Sequence, residues 1–149
     1  MKKINKQAGF TLIELIMVIV ILGVLSAFAL PRFADLGGQA RAATINGVAG
    51  AMKAASNIAH AQWLAEGDSP ATITLEGTSI AMTFGYPTIV SIMAAAQITA
   101  GDFTIASGVV TAKGVSAASL AAETCSVEYT AATSLTAPAT VSAVDVTAC

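Results

Sequence analysis

The residue whose position most calls for chemistry is Glu14. It lies in "GFTLIEL", five residues after Gly9, at the head of a run of 21 residues from Phe10 to Leu30. That run is interrupted only by Thr11, Glu14 itself, Gly23 and Ser26. A carboxylate inside an apolar span costs roughly 2.5–3.5 kcal/mol near the centre, and an acid kept there is a functional residue by default. Near one end it can also snorkel or take a proton. Cys125 and Cys149 are the other reactive pair. In an exported chain an even cysteine count reads as a disulfide, and in a reducing compartment as two thiols.

Nothing else in the chain assembles a catalytic set. There is one histidine, His60, and no glycine-rich phosphate loop. No nucleophile lies near a base and no cluster has metal-ligand spacing, so the chain reads as a non-enzyme with no cofactor. Asp102, Glu123, Glu128 and Asp145 are oxygen donors for calcium in principle, but their spacing matches no loop, and no metal is assigned. His60 reads as a structural or surface histidine, and Trp63 as a packing anchor.

The elements that must carry Glu14 follow from the first thirty residues. As a helix, Phe10–Leu30 spans about 32 Å, close to a bilayer's hydrocarbon core. It exceeds the apolar core of a secretory signal, and no small-residue cleavage site follows it. Lys2, Lys3 and Lys6 before the run outweigh Arg32 after it. The N-terminus is therefore expected on the cytoplasmic side and the rest outside, which favours a Cys125–Cys149 disulfide. Its loop of about 25 residues is worth roughly 3.5 kcal/mol in the chain-entropy model.

"GFTLIEL" resembles the processing site of type IV prepilins. The likeness covers Met1 to about Phe33: a lysine-rich leader, Gly9, Phe10, Thr11, Glu14, Gly23 and Pro31. It implies cleavage between Gly9 and Phe10 by a membrane prepilin peptidase, N-methylation of Phe10, and retention of the apolar helix. Cleavage places a new α-ammonium on Phe10 in an apolar setting. Glu14 lies one helical turn away and can pair with it within the chain, or pair with the Phe10 ammonium of a neighbouring subunit. The residues leave both open; the resemblance implies the second, as a register device in a growing helical homopolymer. It also implies that the segment between Gly23 and Pro31 melts during assembly. Glycine weakens the helix there, and proline removes a hydrogen bond and clashes one turn back. Removing the leader changes the side-chain charge from -2 to -5, since three of the seven basic residues precede Phe10. Such a chain is a poor general nucleic-acid binder.

From Arg32 to Glu66 the pattern is helical. Ile45, Val48, Met52, Ala55, Ala59 and Trp63 form one apolar stripe. After Pro70 the period becomes two. Ile73 and Leu75, then Ile80, Met82 and Phe84, predict a hairpin around Glu76-Gly77, broken by "GYPT". Ile89–Ile98 predicts a short helix. Phe103–Ala106 and Val109–Ala112 predict a second hairpin around Ser107-Gly108. "CSVEYTA" and "TVSAVDVTAC" predict two last strands. The expected fold is α+β: a long N-terminal helix spine with one antiparallel sheet packed on its second half. The expected division is a leader at 1–9, an apolar half-helix at 10–30, an amphipathic half-helix at 31–66 and a head at 67–149. "PRFADLGGQAR", "LEGTSIAMTFGYPT" and "CSVEYTAA" are similar to pilins of the mannose-sensitive haemagglutinin type. Together the two resemblances imply the major subunit of an adhesive pilus, working with an inner-membrane assembly machinery and first held in membrane lipid. They imply an extracellular filament with a surface ligand the sequence does not name. The alternatives are a type II secretion pseudopilin and an anchored adhesin that does not polymerise.

Overall fold

The computed structural model describes residues 9–67, 69–115, 124–147 and 149, so the lysine-rich leader and Glu123 lie outside the described residues. Helix α1 runs Leu12–Glu66. The chain divides into two compact units, Met1–Leu36 and Gly37–Cys149, with α1 contributing to both.

In the first unit, Leu12–Leu30 has a mean hydropathy of 2.7 and none of it is buried. By length and composition it is able to cross a membrane. Its one hydroxyl after Thr11 is paired within the helix: Ser26 Oγ donates to the Leu22 carbonyl at 2.7 Å. The helix is assigned through both Gly23 and Pro31.

In the second unit the apolar stripe of α1 is the floor of the core. Ile45, Val48, Ala49, Met52 and Ala55 pack with Ile92, Met93, Val110, Val127 and Tyr129. One turn further on, Ala59 packs with Ile73, Ile80 and Met82, with Trp63 at the margin. Alanines in the stripe keep the helix close to the strands, which suits a chain with 5% aromatic residues.

Three hairpins share one turn design. β1 (Thr72–Leu75) and β2 (Thr78–Thr83) are joined through Glu76-Gly77, β2 and β3 (Tyr86–Pro87) through Phe84-Gly85, and β4 (Phe103–Ala106) and β5 (Val109–Ala112) through Ser107-Gly108. Both central residues of each turn have positive φ, as two-residue hairpins of right-handed twist require. At Gly108 a second reason applies: an added Cβ would stand 2.7 Å from the Tyr129 carbonyl oxygen.

The strands form two sheets, β1-β2-β3 and β4-β5-β6-β7, where β6 is Ser126–Thr130 and β7 is Thr140–Val141. The expected α+β architecture, a long N-terminal helix followed by an antiparallel head, is present, with the head's strands divided between two sheets. Between the hairpins stands α2, Ser91–Ala95, shorter than the expected Ile89–Ile98. Ser91 Oγ donates to the Ala81 carbonyl at 2.7 Å, tying α2 to β2. The last expected strand is also cut short. The Glu128 N–H bonds to Ser142 Oγ at 2.9 Å rather than to a carbonyl. A side chain thus replaces one bond of the pair, while the Ser142 N–H still donates to the Glu128 carbonyl at 2.9 Å, and the Ser126–Asp145 bridge follows.

Tyr129 links the sheets. It is 1% exposed, and its hydroxyl donates to the Pro87 carbonyl at 2.8 Å. Burial pushes its pKa above the usual tyrosine value, against a hydrogen bond with Ser56 that lowers it. Tyr129→Phe leaves the Pro87 carbonyl without that donor and is expected to lower stability by about 1–2 kcal/mol. A urea-denaturation midpoint equal to wild type would show that the bond carries no net stability.

Candidate functional site at the start of the helix

The site is the first turn of α1. Thr11 precedes the helix, and Glu14 is its third residue. The Thr11 backbone N–H donates to Glu14 Oε2 at 2.8 Å, and the Thr11 hydroxyl donates to the same oxygen at 2.7 Å. In return the Glu14 backbone N–H donates to Thr11 Oγ1 at 3.3 Å. This is a capping box: the side chains of the cap and the third helical residue each satisfy the other's backbone donor. The helix N-terminus also favours a negative charge there. Glu14 therefore has an in-chain partner, Thr11, to which the sequence reading assigns no role. The signal was available as Thr-x-x-Glu ahead of an apolar run.

Both contacts use Oε2, so Oε1 takes no part in the box. Phe10 is 92% exposed and Glu14 is exposed as well. Two hydrogen bonds from Thr11 thus orient the exposed carboxylate through Oε2. A Cβ added at Gly9 would meet nothing within 4 Å, and the same is true of Gly23. No packing in this structure requires a glycine at either place.

Pro31 lies in the first unit, and Cys125, Cys149, His60 and Trp63 lie in the second. Cys125 and Cys149 are bonded, with an S–S distance of 2.06 Å. His60 stacks on Tyr86 with centroids 4.2 Å apart and faces Trp63 at 6.0 Å. Its Nδ1 lies 2.7 Å from the Gly85 carbonyl oxygen, so that nitrogen carries the proton. Trp63 Nε1 donates to the Pro70 carbonyl at 3.0 Å. His60 thus ties the β2–β3 turn to α1, and Trp63 ties the segment leading into β1 to it. Among the described residues no three or more of His, Cys, Asp and Glu gather as a metal site. Asp102 accepts from the Thr99 hydroxyl at 3.0 Å. Hydrogen bonds from Thr147 hold the Asp145 carboxyl below the usual aspartate range.

Residues 4–30 match the family described as the prokaryotic N-terminal methylation motif. The chain is 54% identical over 57 residues to the type IV narrow pilus major component PilA5 of Thermus thermophilus, covering 38% of this chain and 49% of that one. It is 40% identical over 75 residues to the type IV major alpha-pilin of Moraxella bovis, covering 50% and 45%. It is 50% identical over 42 residues to the type II secretion system core protein G of Vibrio cholerae, covering 28% and 27%. The chain spans at most about half the length of these curated relatives. No solved structure matches it significantly. A capped apolar helix with an acid at its third position, led in by Gly9 and Phe10, is thus the N-terminal methylation motif, carried on a chain similar over part of its length to type IV pilins.

Proposed function

We propose that the chain is the major subunit of a type IV pilus, a structural protein that polymerises through α1 into a surface filament for attachment. One observation carries the reading: beyond Glu14, Leu12–Leu30 is apolar on every face, and none of it is buried. A helix with no polar face has to be covered by lipid or by other helices. Both are used in turn. A prepilin peptidase cuts between Gly9 and Phe10, and the Phe10 nitrogen is methylated. The anchored subunit waits in the inner membrane, N-terminus inside and head in the periplasm. The assembly machinery then draws it into the filament. The segment between Gly23 and Pro31 melts and extends as it enters.

Moving an apolar helix from lipid into a bundle of like helices gains little hydrophobic energy, because lipid tails are as apolar as leucine. The charged groups therefore decide where it stops. An unpaired buried ion costs several kcal/mol. The Phe10 ammonium of the incoming chain comes to rest where a neighbour's Glu14 neutralises it, and this sets the register. The box with Thr11 supports this reading, since it holds that carboxylate in place while leaving Oε1 open.

The likeness to core protein G favours a second reading, a type II secretion pseudopilin. Shearing cells and imaging the released material separates the two. The pilus reading predicts long fibres composed of this protein. Secretion lost on deleting the gene, with no sheared fibres, would replace it by the second reading.

A further inference from the structure

The segment after β7 returns to α1 and meets it at its end. The main-chain oxygen of Cys149 accepts a hydrogen bond from Arg41 Nε. The Cys149 carbonyl carbon lies so close to the helix that a Cβ on Gly38 would come within 3.2 Å of it. Through its sulfur, Cys149 is joined to Cys125, which is fully buried beside Ile45 and Val48. The strap before it packs Val144 against the core. Ser126 and Asp145 exchange two backbone bonds of 3.0 Å, and Asp145 Oδ1 accepts from the Thr147 N–H at 2.7 Å. Residues 145–147 are exposed. Cys125 itself has φ +56, a left-handed backbone that persists in a non-glycine residue only where its surroundings over-determine it.

We propose that Gly38 and Arg41 form a seat on α1 for Cys149 that is coupled to the Cys125–Cys149 bond, so that the seat positions Cys149 for closure and reduction of the bond releases the strap from the helix. The chemistry is thiol–disulfide exchange with an oxidant that itself bears a disulfide. The Cys149 thiolate, the more exposed of the two, attacks that disulfide and displaces one of its sulfurs as a thiolate. The Cys125 thiolate then attacks the mixed disulfide at Cys149 and displaces the other. The two cysteine thiols lose two protons and two electrons, and the oxidant leaves as a dithiol. Because Cys125 is buried, the second step needs Cys149 brought to it, and the seat does this. Coupling of this kind is reciprocal: whatever the bond contributes to filling the seat, the filled seat contributes to the bond.

The test is a redox titration of the full chain in detergent micelles, in graded mixtures of reduced and oxidised glutathione, with thiols trapped by alkylation. Arg41→Met keeps an apolar stem and removes the donor. It should lower the equilibrium constant for closure about tenfold, the range expected for a charged hydrogen bond. Gly38→Val should act in the same direction. Lys53→Met, which removes an exposed cation of α1 away from the strap, should titrate with wild type. Arg41→Met and Gly38→Val titrating with wild type would overturn the proposal. A second measurement separates positioning from helix stability. In a chain with both cysteines changed to alanine, Arg41→Met should leave the urea midpoint unmoved. A midpoint lowered there as much as in the oxidised chain would also overturn it.

Discussion

Glu14→Gln, in cells lacking the wild-type subunit, is expected to abolish surface fibres while leaving the protein inserted, processed and folded. The substitution isolates charge from local structure. Glutamine serves at the third helical position of a capping box as glutamate does, so the bond from the Thr11 N–H survives. Insertion should be unchanged or better, because an ionised group leaves the span. What is lost is the counter-charge for the Phe10 ammonium of the next subunit. An uncompensated buried ion costs several kcal/mol, so fibre yield should fall by more than about tenfold. Thr11→Val makes the complementary change: the carboxylate stays and the hydroxyl contacts at 2.7 and 3.3 Å go. Loss of a cap costs about 1 kcal/mol, so fibres should persist at reduced yield. Full yield from Glu14→Gln would remove charge pairing from the account.

Gly9→Val is expected to stop maturation altogether, leaving an unprocessed, membrane-bound precursor. A cut at the membrane surface needs a residue that does not obstruct the approach, and glycine has no side chain. The structure makes the test a clean one. A Cβ at residue 9 would meet nothing, so the head and α1 should be unaffected. Immunoblots should show a single band at the precursor position, in the membrane fraction. Fibres of normal abundance built from this variant would separate the role of Gly9 from cleavage.

The long helix, its apolar first half and its buried stripe were legible because each rests on periodicity over many turns. Ile45, Val48, Met52, Ala55 and Ala59 are all buried as the 3.6-residue period requires. Two of the three hairpins were legible from Glu76-Gly77 and Ser107-Gly108, whose turn type follows from residue type; the turn at Phe84-Gly85 reads in sequence only as a break. The separation into two sheets was not legible. It depends on which strand edges meet, and local alternation says nothing about that. The early end of β7 was hidden for another reason: a single hydroxyl, on Ser142, displaces a carbonyl from the ladder. At the candidate site, Glu14 was conspicuous through its cost in an apolar run. Its bond to Thr11 was less conspicuous, because Thr11 and the Phe10 ammonium compete for one carboxylate and Thr-x-x-Glu is a short local signal. The contact of Cys149 with Gly38 and Arg41 joins residues more than a hundred positions apart, beyond any spacing rule.

On the proposed function, one helix serves first as a membrane anchor and then as a filament core, after a cut before Phe10. Mass spectrometry of the N-terminal peptide from sheared, purified fibres tests it most directly. The account predicts a chain that begins at Phe10 with one methyl group on its amino nitrogen. Fibres whose subunits still carry the leader from Met1 to Gly9 would contradict it.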